Sequence, residues 1–489
     1  MQRPTTRKRP WPHAATGVVP LVIALGCSPA SGGGPSTAWF EDAPLASDAT
    51  AVDAGPIDAT GAESDGGVDG LGSGEPDADA VADATPAPFV SDPQPAERLW
   101  PVPGELLILH VGVDSLLPKM GEATIVVGPT GTITLIDVGN DKHAGQVRAL
   151  VETLNSSWLT TERGYPARSK RQVEWIVLTH FHADHGGGLE DLLQGDDALA
   201  LQHGVVHRGW VDVGDGTTAG TWEPLCAALQ SKPLDWPLCA PQTLPVCDLG
   251  ALASHHPATT CGGLLRGRID DPADDAGMAP TFLDLGGGAR LTLLAADGWI
   301  GGGSLAAAPA MGYDDTNQEN ARSVVAWLSF GAFRGHFGGD LTGSGEPTEP
   351  DVETRLVAGV ADSVWGPRGT DLAVAHHHAR KTSNNATLIA ALAPSDGRSR
   401  NVVGGISKLH VGSPHDDVVA RWTAATRLGT GRFWVTHRTF TSAAPADFPA
   451  LLDADGDVVL RTQQGGDGYW LQAPAQGVTQ GFGCVRRVP

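Results

Sequence analysis

A layered α/β fold is expected for this 489-residue chain, on three observations. Short apolar or alternating runs of strand length recur at Leu106–Val111, Thr124–Val127, Thr132–Ile136, Val173–Thr179, Arg290–Ala295, Val324–Ser329 and Ala373–His376. Helical patterns fall between them, at Ala144–Leu154, Leu189–Leu193, Asn385–Leu392 and Asp417–Ala424. Residues 101–489 are numerous enough to enclose one large core with embellishments. Strands interleaved with helices imply sheets covered by helical layers.

The N-terminus speaks to compartment. Arg3, Arg7, Lys8 and Arg9 precede the apolar stretch Ala14–Gly26, a basic-then-apolar order that reads as a secretory signal over residues 1–27, too short to span a membrane. The run Ile23-Ala24-Leu25-Gly26-Cys27 resembles a bacterial lipoprotein cleavage box, which implies a lipid on Cys27 and attachment to the cell envelope; plain secretion is the alternative. Residues 28–100 read as a linker. Positions 28–97 hold 14 Asp or Glu and no Lys or Arg, a composition that cannot bury enough apolar surface to offset chain entropy, so a disordered tether is expected. As a flexible coil it spans on the order of 45 Å.

Charge narrows the partners. The net charge of −23 divides into +4 over residues 1–27, −14 over 28–97 and −13 over 98–489. An acidic body weighs against a stable nucleic-acid complex, which relies on phosphate neutralisation. The expected partners are a small-molecule or oligonucleotide substrate and, through Cys27, a membrane; oligomeric state is left open.

The chemistry concentrates in Thr179–Gly188 (THFHADHGGG), directly after the apolar run Trp175–Leu178. His180, His182, Asp184 and His185 offer imidazole nitrogen and carboxylate oxygen, the donors that suit zinc and its neighbours. Alternation places His180, His182 and Asp184 on one side of an extended segment, and the turn into the glycines brings His185 round to a second ion. Further along, Thr132–Gly139 (TITLIDVG) ends in Asp137-Val138-Gly139. Ser323–Asp340 reads as two short strands and a turn ending in Gly339-Asp340. Asp371–Asn385 (DLAVAHHHARKTSNN) carries the triplet His376, His377 and His378 after an apolar strand.

These segments, in this order, resemble the metallo-β-lactamase superfamily. The resemblance implies a four-layer αββα sandwich with metals at one sheet edge. It implies two divalent ions, zinc first and manganese as the alternative. His180 and His182 would hold one ion. Asp184, His185 and one histidine of the triplet would hold the other, with His376 and His377 taken as ligands and Asp340 bridging both ions. Asp137 would brace the metal loop without binding metal. Asp184 and His378 are the catalytic candidates, His378 as proton donor to a leaving group. Ala375–Asn385 (AHHHARKTSNN) is similar to the His-His-Gly-Ser element of the metallo-hydrolase domain in bacterial competence (DNA-uptake) channel proteins, with His378 and Ala379 in place of Gly and Ser. Phe282–Ala295, Asn320…Ser323, Gly412–Trp422 and Thr426–Gly468 resemble other parts of that branch, which implies a phosphodiester substrate. An ester, lactone or amide substrate, or a non-catalytic binding role on the same scaffold, are the alternatives.

Two matters stay open. A third ligand for the first ion could come from His203, His207, Asp212, His255, His256 or His336. Cys226, Cys239, Cys247 and Cys261 fall in an insertion at about 214–280, where export predicts up to two disulfides with three possible pairings, while Cys484 stands alone.

Overall fold

The computed structural model describes residues 98–113, 120–208, 220–222, 224–225, 282–296, 299–300, 319–345, 349–360, 362–366, 368–406, 412–424, 427–437 and 449–484. The signal segment with Cys27, the tether up to residue 97, Asp212, His255, His256 and the four clustered cysteines lie outside them. Cys484 is a buried free thiol. No helix among the described residues is long and apolar enough to cross a membrane.

The strands are β1 (Leu107–His110), β2 (Ala123–Val127), β3 (Ile133–Val138), β4 (Gln172–Val177), β5 (Ala200–Val206), β6 (Phe282–Gly286), β7 (Ala289–Ala296), β8 (Trp299–Ile300), β9 (Val325–Phe330), β10 (Phe333–Phe337), β11 (Leu372–Val374), β12 (Asn401–Gly404), β13 (Phe433–Val435), β14 (Leu451–Asp453), β15 (Val458–Thr462), β16 (Gly468–Ala473) and β17 (Val478–Gly483). They form two sheets. One runs β17-β16-β15-β1-β2-β3-β4-β5, and the other β14-β13-β12-β11-β10-β9-β7-β6 with β8 beside β7. The principal helices are α1 (Ala144–Thr153), α2 (Ala183–Gly186), α3 (Leu189–Leu193), α4 (Val352–Gly359), α5 (Asp362–Trp365), α6 (Ala386–Leu392) and α7 (Asp416–Thr423).

Side-chain alternation explains the layering. In β1, Ile108 turns inward to a core shared with Val126, Ile136, Leu291, Leu328, Phe333 and Trp434, which belong to both sheets. Leu107 and Leu109 turn outward, where they join Val147 and Val151 of α1 and Leu192 of α3. The second sheet does the same: Val325 and Trp327 pack outward with Leu356 of α4, Leu388 of α6 and Trp422 of α7. Strands buried on both faces must be apolar at nearly every position, hence the continuous apolar runs in the sequence. The result is the expected four-layer sandwich of two sheets between helices.

Strand direction then places the site. β3, β4 and β5 run parallel, as do β10 to β14. Their C-terminal ends therefore open at common edges, where polar loops collect. The expected strand Val173–Thr179 stops at Val177, because Thr179 gives its backbone N–H to the Asp137 carboxylate instead of a ladder partner.

Candidate metal centre

Asp137 ends β3 with a left-handed backbone (φ 56°) and a buried carboxylate. Oδ1 accepts the Thr179 N–H at 2.8 Å, and Oδ2 accepts the Thr179 hydroxyl at 2.7 Å and His185 Nδ1–H at 2.8 Å. Because the threonine hydroxyl donates to Asp137, its oxygen is left to accept Nδ1–H of His180, 3.1 Å away. One carboxylate thus fixes the tautomer of two imidazoles and leaves both Nε2 atoms as lone-pair donors, in the manner of carboxylate–histidine–metal arrangements. Asp137→Asn puts an amide N–H against these donors whichever way it is turned. It is expected to weaken metal binding ~10- to 100-fold, read by competition with a chelator.

His182 caps the short helix α2, which starts at Ala183, so Asp184 sits on a helical turn rather than in the extended run expected, and His185 follows it on the same turn. The segment divides its donors between two groups. His180 Nε2 and His182 Nδ1 face each other at 3.1 Å, with Asp340 Oδ2 3.8 Å from His180 Nε2. On the other side, His185 Nε2 lies 3.2 Å from His378 Nε2 and 3.2 Å from Asp340 Oδ1. His378 Nε2 lies 3.6 Å from Asp340 Oδ1 and 3.5 Å from Asp184 Oδ2. Asp340 therefore turns one oxygen to each group. It follows Gly339, whose backbone (φ 52°) is left-handed and so close to Thr179 that a Cβ would stand 2.6 Å from that side chain.

The donors gather as two sets whose ligand atoms lie within 4.8 Å of one another: His180, His182 and Asp340, and Glu122, His185, Asp340 and His378. Two nitrogens bound to one tetrahedral zinc at ~2.05 Å stand about 3.3 Å apart, close to the facing imidazole pairs. Charge points the same way. Burial alone would raise the Asp340 carboxyl, but His185, His378 and His377 hold it well below the usual range. Burial would depress His185, yet Asp340 and Asp137 push it well above the usual range. At His378 burial is outweighed by Asp340, Asp184 and Glu122, which push it up to about 10. His180 goes the other way, lowered by burial and by His185. The carboxylates thus make this a place that favours positive charge. The residues present fit divalent metal.

The histidine triplet is distributed differently from the expectation. His377, His378 and Ala379 all have left-handed backbones (φ 51°, 51° and 59°), which turns consecutive imidazoles to different sides. Such residues are costly outside glycine and persist where the surroundings enforce them. His376 does not reach either donor group: its Nδ1 donates to Glu353 Oε1 at 2.7 Å, and its Nε2 faces His336 at 2.9 Å. His377 Nε2 accepts from Asn320 Nδ2 at 3.3 Å and lies 3.7 Å from Asp340 Oδ2, outside both sets. His378, expected as the proton donor, is the one grouped with His185 and Asp340. Among the described candidates for a third ligand of the first ion, none joins His180 and His182. His203 packs on Trp175, His207 lies between the Phe181 and Trp222 rings, and His336 is occupied with His376.

Three buried acids escaped the sequence reading. Glu122 immediately precedes β2, beside His378. Glu353 of α4 holds the triplet loop by accepting from His376 and from the backbone of Asn384 and Asn385. Glu319 pins the metal loop by accepting the Phe181 N–H at 2.7 Å while paired with Arg208. Each acts across a long sequence separation, so no local spacing marks it.

Two sheets with histidine, aspartate and glutamate donors gathered where they meet form an arrangement able to hold metal ions. Residues 117–234, from before β2 to beyond β5, match the family model described as "Metallo-beta-lactamase superfamily". Among solved structures, a HARLDQ-motif mutant of a metallo-β-lactamase from Cronobacter sakazakii aligns at 15% identity over 52% of this chain and 70% of its own, with a TM-score of 0.25. MEM-A1, a subclass B3 metallo-β-lactamase from a soil metagenome library, aligns at 15% identity over 53% and 74%, again with a TM-score of 0.25. Rm3 metallo-β-lactamase gives 14% identity, 54% and 75%, and the same score. No curated protein matches the chain.

Proposed function

We propose that this protein is an exported, lipid-anchored, dinuclear metal-dependent hydrolase acting on phosphodiester bonds. The observation that carries the dinuclear reading is Asp340, which turns Oδ2 toward His180 and Oδ1 toward His185 and His378. Two divalent ions held there, zinc in first place, would supply an activated water and stabilise developing charge. The chain's own part is to hold donors in place: Asp137 fixes His180 and His185, and Gly405 carbonyl accepts His378 Nδ1–H at 2.7 Å, leaving its Nε2 toward the centre. His377, lowered to about 4 first by burial, is a neutral neighbour of Asp340, its Nε2 3.7 Å from Oδ2.

Support for a phosphodiester comes from the likeness of Ala375–Asn385 to the competence-channel element. A second support is Arg380, whose charge reaches His377 and adds a positive neighbour to the centre of an acidic protein. The acidic body and the replaced Gly-Ser pair favour the second reading, an ester, lactone or amide. Anchoring rests on the Arg3–Cys27 segment; Cys27→Ser should release the protein from the membrane pellet, and unchanged pelleting would sink that part.

The test uses the full chain, extracted in detergent after export, with metal measured by elemental analysis. Near two ions per chain, with an aryl phosphodiester cleaved and that activity lost in Asp184→Ala/His185→Ala, is the expected result. Cleavage of an aryl ester or lactone alone moves the substrate to the acyl class. No bound metal favours a non-catalytic binding protein.

A further inference from the structure

Glu122 is a carboxylate to which the family pattern gives no role. It stands at the head of β2, 6% exposed, packed against Gly405, where a Cβ would come within 2.6 Å of its Cδ. Its Oε2 lies 3.0 Å from Nδ1 of His378, but that nitrogen already gives its hydrogen to the Gly405 carbonyl at 2.7 Å. Buried Oε2 consequently makes no hydrogen bond. Its charged neighbours are His378, His185 and a second anion, Asp340. A buried carboxylate oxygen that makes no hydrogen bond, with a second anion close by, is accommodated where a further cation completes the surroundings. The ligand atoms of Glu122, His185, Asp340 and His378 converge within 4.8 Å of one another, and all four residues are buried.

We propose that Glu122 is a direct ligand of the ion held by His185, Asp340 and His378, and that it makes this half of the centre select a harder cation than its neighbour. That half offers two carboxylates to two imidazoles. The His180–His182 half offers one carboxylate to two imidazoles. Carboxylate-rich sets suit manganese(II), whereas nitrogen-rich sets suit zinc. The centre is accordingly a mixed one, with zinc at His180 and His182 and manganese at Glu122. The assignment rests on the dinuclear reading above.

The experiment strips the full chain of metal, offers equimolar zinc and manganese, and measures both by elemental analysis with the manganese EPR signal as a second readout. The parent is expected to retain one of each. Glu122→Gln keeps size and removes the charge; it is expected to keep zinc and lose manganese affinity ~10-fold or more. Equal manganese retention by parent and Glu122→Gln overturns the assignment while leaving two metals intact. A parent that retains two zinc ions and no manganese overturns it too, and one that binds neither metal overturns the dinuclear reading itself. Should Glu122→Gln fail to fold, Glu122→Asp keeps the charge but withdraws it by one methylene. The same loss of manganese is then expected, and unchanged manganese affinity overturns the proposal.

Discussion

Asp340→Ala is expected to lower hydrolysis by at least ~10³-fold, about 4 kcal/mol of transition-state stabilisation. The size follows from geometry. Asp340 is the one residue that belongs to both donor sets, so its loss reduces the first to two imidazoles and takes an oxygen from the second. It also removes the anion that holds His185 and His378 in place, at 3.2 and 3.6 Å. Metal content should fall below one ion per chain in the same preparation. Activity within tenfold of the parent, with both ions retained, would show that the two donor groups do not work as one centre.

Glu319→Ala should produce the largest loss of stability. Glu319 and Arg208 are both fully buried, with Arg208 Nε on Glu319 Oε1 at 2.7 Å and the guanidinium over the Phe181 ring at 4.8 Å. Truncating the acid strands a buried charge, which costs about 3–5 kcal/mol. In a protein of this size that lowers the melting temperature by about 4–6 °C. It also releases the Phe181 N–H, between His180 and His182, so zinc at that pair should weaken. Replacing both partners together, Glu319→Met with Arg208→Met, should recover much of the stability. A melting temperature within 2–3 °C of the parent for Glu319→Ala, below what even 3 kcal/mol implies, would show that the pair is not the anchor of the metal loop.

Much of this was legible in the sequence where the information is local. The apolar periods gave strand-length runs such as Leu106–Val111 and a layered α/β class, while the expectation of two facing sheets came from the resemblance. Helix α3 falls at the predicted residues, and α1 and α6 within one residue of them. The spacing within His180–His185 and the Gly339-Asp340 pair led to both donor groups. The triplet was not legible to the same degree. Which of three adjacent histidines turns inward depends on left-handed torsions at His377 and His378, and a spacing rule cannot carry that. Glu122, Glu319 and Glu353 were invisible for another reason. An acid beside an apolar run looks the same whether water or a buried imidazole awaits it, and their partners lie at least 23 positions away along the chain.

Both donor sets draw on both sheets: Asp340 follows β10 and His378 follows β11, while the remaining members come from the β2, β4 and α2 side. Any cation bound there is a clasp across the sandwich. Its binding free energy is credited to the folded state alone, because the unfolded chain cannot gather donors scattered from residue 122 to residue 378. Metal supply and lifetime are thereby the same variable for this protein. A chain without ions is expected to be more open to proteolysis than one that holds them.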